Sequence, residues 1–540
     1  LAVQADPGAL WKGLARPRLS LSPVRIAGLA AACVALVPLA FVILLAVTGR
    51  GREAVSITLL IEYATTTAFV TLFVLAGAVS LGTASAWLVV MYDFPGRRLF
   101  EWALALPLAA PAYALAYAYA DLLDVAGPVR TAARAAFGAD LPLDVRSTIG
   151  AGLILSLAFY PYVYLTARAA FVSQSVCSLE AARTLGCSPS QAFWRVALPM
   201  ARPAIAAGAA LALMETLADY GAVSFLGVQT LTTGVVRSWS AYGAPAAAAR
   251  IALVLLAAAA VLLWIERLGR GGQGYGASSQ RWRDLPRARL AGLPAARATG
   301  FCALLLTLAL LLPAGWLVRL AARATPDFGR LAQAAADSLA LGLAGAALTV
   351  TLAAIVAFGA RGSRIAGRIV SLGYATPGAV MAVGLLAPAG YLWRGVAGAA
   401  GASGVALGLL LFAYAARLMA SALEPIDAGL TRITPSMDLA ARTLGETQTG
   451  ALRRVHVPIA RGALFTAALL VFVDVLKELP ATLILRPFDF DTLAVLADNY
   501  AADERLGAAA WPALLIVLLA AGPVAILSRA VAASRPGGGP

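Results

Sequence analysis

Apolar residues arrive along this chain in blocks long enough to cross a bilayer. A hydrocarbon core about 30 Å thick needs roughly 20 helical residues at 1.5 Å each. Such blocks lie near 24–47, 64–92, 99–123, 149–172, 203–227 and 248–266, and again near 298–320, 336–359, 367–393, 402–423, 462–485 and 508–529. Pro107 and Pro111 in the third block, and Pro377 in the ninth, predict kinked helices there rather than loops. The predicted fold is an all-α polytopic membrane protein of about twelve transmembrane helices.

Composition agrees. The 540 residues are 61% hydrophobic and 13% charged, where a soluble domain has roughly 45–50% apolar and about 25% charged residues. That excludes an ordinary globular enzyme, and disorder too, which needs low hydrophobicity. The net charge of +15 is no sign of nucleic-acid binding, because the arginines fall in short loops between apolar blocks and lysine occurs only at Lys12 and Lys477. With the N-terminus in the cytoplasm, the inner ends carry about 28 of the 42 Lys and Arg residues. The stretch Asp489 to Glu504 is acidic, as an external loop would be, while 319–330 runs against the bias. Both termini are therefore expected in the cytoplasm. No cleavable signal is expected, since the first block is too long for one. Four scattered cysteines argue against a disulfide framework, and a single histidine, His456, excludes a multi-histidine metal site.

The chain repeats itself. Leu179-Glu-Ala-Ala-Arg-Thr-Leu-Gly186 returns as Asp438-Leu-Ala-Ala-Arg-Thr-Leu-Gly445, 259 positions later, and the same separation relates Pro199 to Pro458 and Arg202 to Arg461. Chance in an alanine-rich chain is a poor explanation for six consecutive identities and a downstream proline at one offset. Two repeats of six spans follow, residues 1–266 and 298–540, joined by a polar cytoplasmic linker at 267–297. An even number of spans per repeat makes them parallel rather than inverted.

Both copies of this loop lie between the fourth and fifth span of their repeat, on the arginine-rich side. Ala181 to Leu185 is helix-forming, Gly186 allows a sharp turn, and Ser188 or Ser190 can start a second short helix, expected over Gln191 to Leu198 and ended by Pro199. Such a knob either caps two spans or docks a cytoplasmic partner. Glu180-Ala-Ala-Arg-Thr-Leu-Gly186, with Val196-Ala-Leu-Pro199 downstream, resembles the EAA loop of binding-protein-dependent ABC importer permeases. The resemblance implies a type I permease fold in which these loops couple to two copies of a cytoplasmic ATPase while an external binding protein delivers cargo to the bilayer-embedded path. It assigns coupling to Glu180, Ala181, Ala182, Gly186 and Pro199, and to Ala440, Ala441, Gly445 and Pro458. The second copy departs from the pattern at Leu439 and Val457.

Further segments are similar to the ferric-iron branch: Met214-Glu-Thr-Leu-Ala-Asp-Tyr-Gly221, Gly227-Val-Gln-Thr-Leu-Thr-Thr-Gly234 with Trp239, Lys477-Glu-Leu-Pro-Ala-Thr482, Leu485 to Leu493, and Asp503-Glu-Arg-Leu506. Thiamine, polyamine and anion permeases share much of this scaffold. Neither lysine fits a GxxxxGK[ST] phosphate loop, so the chain is expected to bind no cofactor itself, with ATP used by partner subunits. No nucleophile–base pair or metal-ligand cluster points to an enzyme.

Ionisable residues inside a membrane cost roughly 2.5–3.5 kcal/mol each and are functional candidates by default. Glu215 and Asp219 stand four apart in the fifth block, on one face of a continuous helix. The 259 separation relates them to Asp474 and Glu478, with Lys477 between. About a parallel two-fold axis the four carboxylates would converge on a path suited to a hard cation. Alternatively, Lys477 neutralises Asp474 or Glu478 structurally. Tyr220, Gln229 and Asn499 are candidate polar lining, while Tyr113, Tyr117 and Tyr119 read as interfacial anchors or packing. The leading expectation is an inner-membrane importer permease for ferric iron. A gradient-driven secondary transporter would use the intramembrane acids but needs no matched docking knobs, and a sensor or scaffold lacks a signalling domain.

Overall fold

The protein is represented by a computed structural model that describes residues 23–49, 56–138, 144–173, 182, 184–270, 287–360, 363–394, 399–430 and 433–533. Among the described residues nine helices are long and apolar enough to cross a membrane, and three bent pairs bring the number to twelve. In chain order the first repeat contributes Ile26–Cys33 with Leu36–Thr48, Ile57–Met91, Arg97–Ala109 with Ala112–Leu122, Thr148–Val172, Phe193–Ala218 and Pro245–Glu266. The second contributes Gly292–Ala321, Phe328–Gly359, Ile365–Ala375 with Gly378–Gly390, Gly401–Leu430, Leu452–Leu476 and Leu506–Leu527. These are called spans one to twelve below. Outward-facing Leu72, Leu343 and Leu518 stay exposed, as side chains meeting lipid should.

The third and ninth spans are not kinked helices, as the prolines suggested, but helices broken nearly at right angles, by 91° and 97°. The cause is local. A residue before proline is pushed out of the helical region, and Ala110 and Thr376 take extended ψ values of 126° and 119° ahead of Pro111 and Pro377. Three prolines near the starts or middles of other helices are absorbed differently. A wide π turn precedes each of Pro199, Pro313 and Pro458, at Phe193–Ala197, Thr307–Leu311 and Leu452–His456. There the hydrogen bond reaches back five residues, as from Leu198 N–H to the Phe193 carbonyl, which makes room for the ring. The short helix expected to end at Pro199 therefore runs on into the fifth span.

The fifth and eleventh spans stop at Ala218 and Leu476, before the ends expected at 227 and 485. Each is followed by two short helices, Gly221–Phe225 and Leu231–Ser240 in the first repeat, Pro480–Leu485 and Leu493–Ala502 in the second.

The repeats are contiguous in sequence but interleaved in space. The first span packs on the eighth and ninth, and the seventh packs on the third, fourth and twelfth. Buried Ala31 and Ala32 belong to the core of the second repeat, and Cys302 and Leu305 to that of the first. A Cβ on Gly384 would overlap the Pro38 carbonyl oxygen, so the first and ninth spans touch backbone to backbone. Towards the chain's middle, Ala288–Arg289 forms a two-residue parallel bridge with Tyr92–Asp93.

Candidate functional site

The breaks after the fifth and eleventh spans face each other across the boundary between the repeats and line a partly open cavity of ≈ 70 Å³, room for several waters. Glu215, Asp219, Asp474, Lys477 and Glu478 all line it. The convergence that the duplication implied is present, with one correction. Glu215 and Asp219 do not share a face of one helix, because the helix ends at Ala218 and Asp219 is extended, with ψ of 129°. Its carboxylate turns instead to the next short helix, where Oδ2 accepts the Val223 N–H at 3.1 Å. Glu478 repeats this more fully. Oε1 accepts the Ala481 N–H at 3.0 Å, and Oε2 accepts the Thr482 N–H at 3.1 Å and the Thr482 hydroxyl at 2.8 Å. A free helix start leaves several N–H groups without partners. These two acids supply acceptors, and their negative charge suits the positive end of the helix.

Two cations answer the acids. Lys477 Nζ lies 3.0 Å from Asp474 Oδ1, so of the two partners foreseen for it the structure selects Asp474. The other cation, Arg417, was not anticipated. It projects from the tenth span, with Nη1 3.6 Å from Glu478 Oε1 and Nη2 3.8 Å from Glu215 Oε2. The Tyr374 hydroxyl donates to Glu215 Oε1 at 3.3 Å. An arginine amid an apolar block is the signal that marks it, one that a tally of basic residues by loop hides.

The 259 separation now has geometric content. Seven pairs of cavity residues obey it, among them Glu215 with Asp474, Asp219 with Glu478, Ala218 with Lys477 and Ala158 with Arg417. The acids are duplicated. Both cations stand where the first repeat has alanine.

Of the remaining candidates, Tyr220 and Tyr113 line the cavity, whereas Gln229 and Asn499 are not among its lining residues. Tyr113, Tyr117 and Tyr119 are buried, at 3%, 0% and 7% exposure. They are packing residues rather than interfacial anchors, and Tyr119 donates to the Leu308 carbonyl at 2.5 Å.

The two loops match closely. Gly186 and Gly445 take φ of +84° and +83°, the left-handed region that glycine enters without a Cβ clash. The turn closes with Cys187 N–H on the Ala182 carbonyl and Glu446 N–H on the Ala441 carbonyl, both at 3.0 Å. Ser188 starts the next helix. Its hydroxyl accepts the Gln191 N–H while Gln191 Oε1 accepts the Ser188 N–H, a reciprocal cap. Thr447 takes the same place in the second copy, accepting the Gly450 N–H at 3.1 Å. Ala182 and Ala441 are buried and Ala440 is exposed, while Leu185 and Leu444 project at 84% and 83% exposure. Pro199 and Pro458 sit at the starts of the long helices that follow. Glu180 and Ala181 lie outside the described residues. The second knob adds an ion pair between Arg454 and Glu446.

Comparison with known proteins converges with this geometry. Residues 78–325 match the family described as binding-protein-dependent transport system inner membrane component. The chain is 27% identical over 468 residues to the Fe(3+)-transport system permease protein of Haemophilus influenzae, covering 84% of this chain and 87% of that protein. It is 31% identical over 190 residues to the sulfate transport system permease protein of Salmonella typhimurium, or 34% of this chain and 66% of that one. It is also 27% identical over 199 residues to the molybdenum transport system permease protein of Escherichia coli, or 35% and 86%. The likeness to the ferric relative alone runs through both repeats among these three. The family match over residues 78–325 and the likeness to the ferric relative over 84% of the chain support a fused two-repeat ABC importer permease of the ferric-iron branch.

Proposed function

We propose that this chain forms the whole transmembrane path of an ABC importer for ferric iron, multi-pass in the inner membrane with both termini in the cytoplasm. An external binding protein delivers the cargo. Two copies of a cytoplasmic ATPase hold the knobs around Gly186 and Gly445, and their closure on ATP moves the repeats so that the cavity opens to one side and then the other. One observation carries the reading: a duplicated pair of acids lines a cavity between the repeats. Four carboxylates face two cations there, and oxygen donors suit a hard trivalent ion.

An oxyanion cargo is the second reading, favoured by Arg417 and Lys477 in the cavity and by the sulfate and molybdenum relatives. Excess negative charge weighs against it. Uptake by the reconstituted importer, with its binding protein and ATPase, of ferric iron, sulfate and molybdate separates the two. Replacing Glu215, Asp219, Asp474 and Glu478 together by their amides is expected to lower ferric uptake at least about tenfold, equivalent to about 1.4 kcal/mol. Unchanged iron flux in that variant, or flux of an oxyanion in the wild type, defeats the ferric path.

A further inference from the structure

We propose that Arg417 is a latch between the two repeats and the tethered counter-ion that a cationic cargo must displace. The inference rests on the importer reading above and adds a residue that selects cargo by charge.

The argument begins with how each acid is held. Asp474 is paired with Lys477 of its own repeat. Asp219 and Glu478 are fixed by amides of the short helices that follow them. Glu215 differs. It lies in the first repeat, yet the partners the structure gives it, Arg417 and Tyr374, both come from the second. Arg417 in turn is tied to Glu478, whose side chain is 1% exposed and anchored by three hydrogen bonds. The guanidinium is thus rooted in the second repeat and reaches across to the first through one contact of 3.8 Å. That contact is the weak link when the repeats separate.

Separation has an electrostatic consequence. Arg417 and Glu215 have side chains only 11% and 16% exposed, and an ionised group left unpaired in such a place is strongly penalised. Glu215 that loses Arg417 escapes that penalty by taking up a proton or by meeting another cation. A multivalent cation entering the cavity meets that need and a neutral or anionic solute does not. Opening is thereby coupled to the charge of what enters. The first repeat carries Ala158 at the equivalent position, so the chain holds one such latch rather than a symmetric pair.

The test uses the full chain assembled with its ATPase subunits in lipid vesicles, measuring ATP turnover with neither binding protein nor cargo. Arg417→Gln is expected to raise this idle turnover about tenfold, because the latched arrangement loses its advantage over the open one. Glu215→Gln, which keeps the side chain's shape and serves if Arg417→Gln does not assemble, is expected to do the same. The double variant should do no more than either single, because both break the same contact between the repeats. Arg417→Lys keeps the charge but offers one nitrogen where Arg417 uses two, for Glu478 and Glu215, so its idle turnover should fall between wild type and Arg417→Gln. Assembled Arg417→Gln or Glu215→Gln complexes that idle at the wild-type rate overturn the latch, and so does a double variant equal to the product of the singles. A wild-type chain that captures no ATPase overturns the importer reading itself, a separate result.

Discussion

The two repeats agree at their knobs and disagree in their cavity. At the knobs the second copy reproduces the first to within a degree of φ at the turning glycine and gives the projecting leucine the same exposure. Within the cavity the acids are kept, but Ala158 and Ala218 of the first repeat face Arg417 and Lys477 of the second. On the importer proposal, the knobs meet two copies of one partner, and such surfaces are held to one shape in both repeats. A cavity between the repeats meets no such demand, because its two walls face one shared volume, and charge placed on either wall serves both. Fusion of the repeats into one chain permits this asymmetry.

The largest effect is expected where the repeats agree. Valine at Gly186 or Gly445 puts a β-branched side chain into the left-handed region, at about 1–2 kcal/mol or more. Each single change should lower ATPase capture about tenfold, measured by titrating the purified ATPase onto the permease, and the double change should abolish it. Equal single effects sharpen the equivalence of the knobs. A loss confined to Gly186→Val would break it, and would assign coupling to the copy that keeps Glu180 of the motif.

An effect on stability rather than on capture is expected where the repeats differ. Lys477→Ala recreates the first-repeat residue but leaves Asp474 without the partner it has at 3.0 Å. Removing one member of a buried pair costs about 3–5 kcal/mol; with both side chains here nearly a fifth exposed, about 1–3 kcal/mol is expected. The midpoint of thermal unfolding in detergent should fall by several degrees and recover in the double variant Asp474→Ala/Lys477→Ala. A single variant as stable as wild type shows a solvated pair that contributes nothing.

Much of this was legible in the residues themselves. Hydropathy locates spans because a bilayer demands length, and the repeated AARTLG announces both the duplication and the knobs. The four acids were visible because charge inside an apolar block is conspicuous. Arg417 was equally conspicuous and was overlooked, since arginines were weighed by their loops. Helix ends were hidden for another reason. Gly221 and Pro480 stand just past the two ends, but each also suits a span that runs on, and the role of Asp219 as a cap depends on whether its carboxylate turns to Val223 or continues the helix, which tertiary packing decides. Interleaving of the repeats was hidden as well. Hydropathy is blind to which partner a span chooses, and the choice rests on small residues such as Gly384, whose missing Cβ lets Pro38 approach.

The finest test of the comparison lies in the caps. Asp219 and Glu478 are equivalent by sequence and each accepts two amides of a short helix, Val223 and Ala222 for Asp219, Ala481 and Thr482 for Glu478, but Glu478 also carries the Thr482 hydroxyl and the Arg417 guanidinium. Asp219→Asn keeps an oxygen acceptor and loses charge at a helix start, so it should cost under about 1 kcal/mol. Glu478→Gln also leaves Arg417 facing one acid fewer in a buried place, and should cost about 1–2 kcal/mol more. Thermal midpoints of the two variants in one detergent read that difference directly. Removing the latch closes the gap: in an Arg417→Gln background, Glu478→Gln should become as mild as Asp219→Asn. If it stays severe there, the extra burden of Glu478 lies in its bond to the Thr482 hydroxyl, and the asymmetry of the cavity does not pass through this acid.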